Sequence, residues 1–379
     1  MSGDIAGAAQ NIVRRIAEAA AACRRNEKNP LRFMEVCGTH TVTIFRSGLR
    51  QLLPAAVELV SGPGCPVCVT VDGYIDEAVS LAGRPEVIIA VFGDLLKVPG
   101  TGLNGTEPKN LAEAKARGAD IRVIYSPLEA LDIARENPDR QVVYLAVGFE
   151  TTAPAAAALV LAAEEAGTEN LYLLTAHKLV PPAMKAILDM PHRIDGFILP
   201  GHVAVVTGRR EFDFLKTYGQ RGVVTGFEPL GIMAAILRLS ELIRDKVSAV
   251  ENLYPSVVRE EGNPTARKVM MQVFQETGEK WRGLGWLEES GLSLREEYAS
   301  YDARRQLPVT EAAKESAGAA VSRLCRCGEI LTGAVTPKDC PLFGRGCTDR
   351  HPVGPCMVSV EGTCAAWYKY GAGKFVLPK

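Results

Sequence analysis

Between residues 31 and 245, short runs of β-branched and other apolar residues alternate with stretches whose apolar positions recur at helical spacing. That alternation predicts βα units building a parallel sheet. Strands are predicted at "RFMEV", "VELVS", "EVIIAVF" and "IRVIY", then at "QVVYLAV", "LYLLTA", "GFILP" and "GVVTG". Taken in chain order they divide four and four. The predicted fold class is α/β, with two similar lobes of parallel sheet flanked by helices and a smaller cysteine-rich domain after them.

The expected boundaries follow the same rhythm. Residues 1–30 hold an amino-terminal helix, 31–140 a first lobe, 141–245 a second, and 246–379 a third domain. "PLGIMAAILRLSELIRD" reads as the helix closing the second lobe. Beyond it "NPTARKVMMQVFQET" reads as a helix and "WRGLGWLEESG" as an irregular stretch, with no further βα alternation.

The turns after the predicted strands collect the unusual residues: "CGTHT", "GPGCPVC", "GDLLKVPG", "GFETTAP", "AHKLVPPA" and "PGHVAVVTG". In open α/β sheets, ligands bind beyond the carboxyl ends of the strands, so these turns occupy the edge where chemistry is expected.

Composition narrows the possibilities. A chain of 379 residues, 47% hydrophobic and 23% charged, is long enough for two or three globular domains. A net charge of -1 leaves no broad basic surface, which argues against nucleic acid and anionic membrane as partners. The opening stretch lacks the order of a signal peptide, and the longest apolar run, "APAAAALVLAA", falls short of a membrane span. The expected location is therefore cytoplasmic, where ten cysteines serve as metal ligands or redox thiols more readily than as structural disulfides. Cys23, alone on the first helix, reads as a buried, inert thiol.

Six cysteines fall in the tail, spaced C-x-C-x12-C-x6-C-x8-C-x7-C from Cys325 to Cys364. Structural zinc uses close C-x2-4-C pairs, which this segment lacks. Long loop-borne spacings beside Pro and Gly suit a 4Fe-4S cluster, whose corners are met from several directions. Four thiolates hold such a cluster, so two remain as a redox pair, and spacing alone does not say which two. A zinc-stabilised tail is the competing reading.

Near the other end, Cys65 and Cys68 form a C-x-x-C pair at a strand-to-helix turn, where the helix dipole lowers a thiol pKa and the second thiol can close a disulfide. Cys37 and His40 lie in the preceding turn. The four residues are also a donor set with finger-like spacing for zinc, and Cys37 with a histidine base is a possible nucleophile. His40 can cap a helix, ligate metal or take a proton. Glu150 can handle a proton if it faces these thiols, whereas Thr151 and Thr152 are explained as helix caps ahead of Pro154. "GTGLNG", residues 100–105, matches G-x-G-x-x-G but starts well after its strand, with Asp120 at the wrong end of the next one, so it reads as a loop.

Taken together and in order, "MEVCGTHT", "SGPGCPVC", "FGDLLKVPG", "GFETTAP", "HKLVPPA", "PGHV" and the cysteine tail resemble the HypD family of hydrogenase maturation factors over nearly the whole chain. The resemblance implies two α/β lobes, a third domain with a 4Fe-4S cluster, and work with the chaperone HypC and the cyanide donor HypE. It implies that Cys37 holds, jointly with HypC, a transient iron that receives two cyanides and one carbonyl. It also implies that Cys325, Cys340, Cys347 and Cys364 ligate the cluster, that Cys327 and Cys356 are the surplus dithiol pair, and that Cys65 and Cys68 are the C-x-x-C near the iron. His40, Glu150 and Thr151 join the candidate site, and Asp94, Lys97, His177 and His202 stand in matching turns that can line the same cleft. The competing function is a stand-alone thiol-disulfide or ferredoxin-linked reductase of a small molecule, which would not need the Cys37 and His40 donor set.

Overall fold

The computed structural model describes residues 2–101, 108–308 and 324–371; Gly102 and Gly105 of the glycine-rich loop lie outside them. All eight predicted strands form: β1 (Leu31–Glu35), β2 (Val57–Ser61), β3 (Val87–Val91), β4 (Ile121–Val123), β5 (Gln141–Gly148), β6 (Leu171–His177), β7 (Gly196–Pro200) and β8 (Gly222–Thr225). Several are buried from end to end, as strands covered by helices on both faces must be.

The strands do not, however, pair four and four along the chain. One parallel sheet runs β2-β1-β7-β8-β9, its last strand Val250–Asn252, and the other runs β4-β3-β5-β6. The chain starts in the five-stranded sheet, leaves to build the four-stranded one, and returns. The expected division at residue 140 therefore cuts through the four-stranded sheet, between β4 and β5. The physical reason is that an apolar β run specifies burial but not its neighbour. β1 takes β7 as its partner, with Phe33 opposite Gly196, across more than 160 residues.

The two sheets nevertheless share one topology. In each, strand order reverses direction once, between β1 and β7 in the first sheet and between β3 and β5 in the second. Such a reversal sends the flanking connections apart and opens a crevice at the carboxyl edge. Two crevices thus arise, and they face each other.

Two expectations for the third region change. Residues 250–252 extend a lobe, as β9. The helix expected through "NPTARKVMMQVFQET" ends at Val273, and Phe274–Trp281 is instead strand β10, paired antiparallel with β11 (Gly285–Leu294). Phe274 buries its ring among Val273, Leu292 and the alanines of the helix Ala153–Glu165, which helical continuation would prevent. The hairpin lies along the end of β6, bridging Lys178 to Gly291.

The first helix, Ser2–Ala22, packs on the helix Pro229–Arg244 through Ile16 and Ala20 against Ile232, Ile236 and Leu239. Cys23 is half-buried just past its end. No described helix is long and apolar enough to cross a membrane. Because Ile16 is fully buried in that helix pair, Ile16→Ala is expected to cost about 3 kcal/mol. A urea titration with an unshifted midpoint would show that this helix contributes nothing to the fold.

Candidate functional site

Cys37 is separated from the end of β1 by one residue and is the N-cap of the helix Gly38–Arg46. Its turn lies against the turn after β2, where the Gly38 amide donates to the Gly64 carbonyl at 2.9 Å. Gly64 has to be glycine: a Cβ there would stand 2.4 Å from the Cys37 nitrogen and 2.5 Å from its Cα. Burial pushes the Cys37 thiol up to about 11, with the Glu361 charge acting the same way; the amides of Thr39 and His40 pull in the opposite direction.

These turns open onto a cleft of about 510 Å³ between the two sheets. Cys37 and His202 reach it from either side of the β1/β7 reversal, and Asp94 and Thr151 from either side of the β3/β5 reversal. Glu361, from the cysteine-rich tail, closes one wall. Its Oε1 accepts from the Thr39 hydroxyl at 2.7 Å, and its side chain fills the space that a side chain at position 38 would need.

The two histidines exchange the prominence expected of them. His40 is fully buried and does not line the cleft; its Nε2 donates to the Gly226 carbonyl at 3.0 Å, and burial lowers its pKa to about 4. Phe227 lies between the two imidazoles, 4.7 Å from the His40 ring and 3.9 Å from the His202 ring. His202 is the exposed member of this stack, and partial desolvation lowers its pKa. Among the other candidates, Lys97 is exposed outside the cleft. His177 is buried with both ring nitrogens unpartnered.

Cys65 caps the short helix Pro66–Val69 and is joined to Cys68 in a disulfide, their Cα atoms 5.2 Å apart. With these two sulfurs bonded to each other and His40 turned to Gly226, the zinc set of Cys37, His40, Cys65 and Cys68 is not assembled. More generally, no group of three or more His, Cys, Asp or Glu side chains among the described residues is drawn together closely enough to hold a single metal ion.

The tail brings its cysteines to the other side of this disulfide. Cys327 and Cys356 are buried free thiols with their sulfurs 2.8 Å apart. The helices that carry them, Cys327–Leu331 and Pro355–Val358, both pack on the Cys65–Cys68 turn. Arg282, at the tip of the β10–β11 hairpin, ties the pieces together: its guanidinium donates to the carbonyls of Cys68 (3.0 Å) and Thr70 (2.7 Å) and pairs with Asp72. Burial opposes the Arg282 charge, but Asp72 and the adjacent Cys327 and Cys356 more than offset it, so its pKa lies above the ordinary value. Sequence reasoning passed over both Arg282 and Glu361, since nothing local distinguishes either from a surface charge.

All six tail cysteines line one small cavity. Cys364 is desolvated and sits within the electrostatic reach of Cys325, Cys327, Cys340 and Cys347, which raises its pKa further. A four-iron cluster takes one thiolate per iron, so its ligands surround a cavity instead of converging on a point. Six cysteines around one cavity, two of them with sulfurs 2.8 Å apart, are a donor set whose chemistry fits such a cluster.

Glu150 and Thr151, adjacent in sequence, point to different places. Thr151 lines the cleft, whereas Glu150 turns to a separate cavity on the far side of β5. Its carboxylate is therefore not placed beside Cys37.

Comparison with known proteins identifies the family. The chain matches the profile of the HypD family, described as "Hydrogenase formation hypA family", over residues 8–371. It is 42% identical over 369 residues to "Hydrogenase maturation factor HypD" of Rhodobacter capsulatus, covering 97% of this chain and 96% of that protein. The chain belongs to the HypD family. HypD proteins of Azotobacter vinelandii (43% over 358 residues, 92% of each chain) and Escherichia coli (42% over 366 residues, 95% of this chain and 94% of that one) are similarly close. In this HypD-family chain the cleft, the disulfide and the tail cavity thus lie within a match that runs almost end to end.

Behind the Cys37 turn, Glu35 is fully buried; its Oε1 accepts from Ser61 at 2.6 Å and Thr41 at 3.3 Å, and its Oε2 has no partner. Desolvation lifts its pKa from 4.5 to about 7, against the pull of Arg50. Between those values the folded chain keeps a proton that the unfolded chain has lost, so stability falls as pH rises through this window and is level above it. Relative to wild type, Glu35→Gln should gain on the order of 3 kcal/mol on going from pH 4 to pH 8. Denaturant midpoints that move in parallel for both proteins would refute this. Gly64→Ala should cost several kcal/mol, and a thermal midpoint within a degree of wild type would show that the two turns are not in contact.

Proposed function

We propose that this chain is a metallocofactor assembly scaffold with redox activity, building the iron unit with two cyanides and one carbonyl of nickel-iron hydrogenase together with HypC and HypE. The observation that carries the reading is a continuous succession of thiols. Cys37 stands in the cleft, its turn bonded to the turn of the Cys65–Cys68 disulfide, which in turn is packed on the Cys327/Cys356 pair at the wall of the cysteine cavity.

Iron is the cargo. Cys37 anchors it as a thiolate, HypC supplies a second thiolate, and the cleft leaves the remaining positions open for strong-field ligands. The Cys37 proton, held tightly in the free thiol, leaves when iron binds. His202 is the neutral imidazole that faces the same space, and it accepts that proton or serves as a further donor. Thr151 and Asp94, on the opposite wall, orient the incoming group by hydrogen bonding.

Release of cyanide from a thiocyanate consumes two electrons and one proton and leaves a thiol on the carrier. A dithiol at Cys65 and Cys68 supplies both electrons and closes to the disulfide. The thiols of Cys327 and Cys356 reset it by exchange: one attacks the Cys65–Cys68 bond, the second displaces it, and the oxidised pair becomes Cys327–Cys356. Arg282 stabilises the attacking thiolate and holds the two turns in register. A 4Fe-4S cluster on Cys325, Cys340, Cys347 and Cys364 would supply electrons singly. The chain acts in the cytoplasm on this reading, where its thiols stay reducible.

Infrared spectra of the anaerobic complex with HypC test the anchor: Cys37→Ala should abolish the cyanide and carbonyl bands, and their persistence would remove Cys37 as the anchor, whereas their absence from the wild-type complex would favour a stand-alone reductase. Arg282→Lys should slow reduction of Cys65–Cys68 by about tenfold, read by alkylation and mass, while the iron content stays unchanged. Unaltered kinetics would remove Arg282 from the path.

A further inference from the structure

Glu150 sits at the bottom of a second cavity, about 460 Å³, between the helices Val180–Asp189 and Pro264–Val273 and the β10–β11 hairpin. Its walls are apolar where Pro181, Met270 and Leu287 face inward, and Glu211, Glu276 and Glu289 bring carboxylates from three separate elements. Glu150 itself is 1% exposed. Its Oε1 accepts the Val180 amide at 2.8 Å, and its Oε2 has no partner.

Two bases also line the cavity: Lys185 lies 5.1 Å from the centre of the Phe214 ring and its charge reaches Glu276, while Arg267 donates to the Glu261 carbonyl at 3.2 Å. Burial raises the Glu150 carboxyl from 4.5 to about 8, with the like charge of Glu211 acting the same way and hydrogen bonds to its own amide and that of Val180 opposing it, so an arriving cation displaces the proton that the buried carboxyl retains.

A buried carboxyl with a spare oxygen is satisfied by a metal ion or by an organic cation. A metal ion requires several donors in one coordination sphere, and among the described residues no such group is gathered. An alkyl stem ending in a cation uses both the apolar wall and the carboxyl floor. A guanidinium, planar and with five N–H donors, can address Glu150 and a wall carboxylate together. The rim carries exposed apolar side chains: Met271 is 37% exposed, and Trp286, 59% exposed, donates to the cavity-lining Glu288 at 2.7 Å. Trp and Met are residue types that interfaces with polypeptides favour.

We propose that this cavity receives an arginine side chain presented by a partner polypeptide, with Glu150 as its anchor and Trp286 covering the flanking residues. The site lies apart from the Cys37 cleft and does not depend on the chemistry assigned there.

Isothermal titration of the full chain with acetyl-Gly-Ser-Arg-Ser-Gly-amide provides the test. One peptide should bind per chain, the citrulline counterpart at least tenfold more weakly, and Glu150→Gln or Glu276→Gln should each weaken the arginine peptide about tenfold. Glu276 stands on the exposed face of β10, so its variant reports even if Glu150→Gln fails to fold. Trp286→Ala should weaken the peptide but leave agmatine unchanged. Equal binding of the citrulline peptide, indifference to both carboxylates, agmatine binding as tightly as the peptide, displacement by manganese chloride, or no binding at millimolar peptide would each overturn the proposal.

Discussion

The site depends on the contact between two turns, residues 37–38 and 62–65. The hydrogen bond from the Gly38 amide to the Gly64 carbonyl, with no side chain at either position, brings the backbone of Cys37 against that of the Cys65–Cys68 turn. A single methyl group at Gly64 would push the turns apart by collision with Cys37, and one at Gly38 would drive away Glu361 of the tail. Parallel pairing of β1 with β2 sets the turns side by side, and the missing Cβ atoms let them touch. The Cys37 thiol then lines the cleft with the turn of the buried Cys65–Cys68 disulfide packed against it.

The same economy of contact joins the tail to the lobes. Arg282 replaces water with three protein partners on the Cys65–Cys68 side and faces the Cys327/Cys356 thiols on the other. A buried guanidinium is tolerated only where its donors are matched, and leaving one partner out is costly. The hairpin tip that delivers it, Gly283, meets the backbone of Gly328 next to Cys327 so closely that neither glycine has room for a side chain. The cysteine-rich segment is thus fastened to the lobes at the point where its dithiol pair lies, and again where Glu361 meets Thr39.

Much of this was legible in the residues. Eight strands announced themselves because buried parallel strands are continuous apolar runs, and the motif-bearing turns fell on the carboxyl edge because βα units always present that edge. Pairing was not legible: β1 looks equally suited to any parallel neighbour, so its union with β7 and the interleaving of the two sheets were invisible. The switch of Phe274 from helix to strand was hidden for a related reason, because its apolar neighbours satisfy a helical period until the hairpin partner Leu294 is present. His40 and His202 could not be ranked without knowing which side of Phe227 faces the cleft. Nor could Glu150 be separated from Thr151, since a bend at the end of β5 sends consecutive side chains to opposite sides.

By itself, then, the sequence determined the family, the α/β class, the edge on which chemistry would occur and the thiols available for it, because these follow from residue type and local period. Only the tertiary structure decided that two strand-order reversals face one another across a cleft, that Glu361 reaches Thr39 from 322 residues away, and that Arg282 joins one sulfur pair to the other. Those are contacts between segments remote in the chain. A local pattern records how much surface a segment must bury but carries no address for the surface that will cover it.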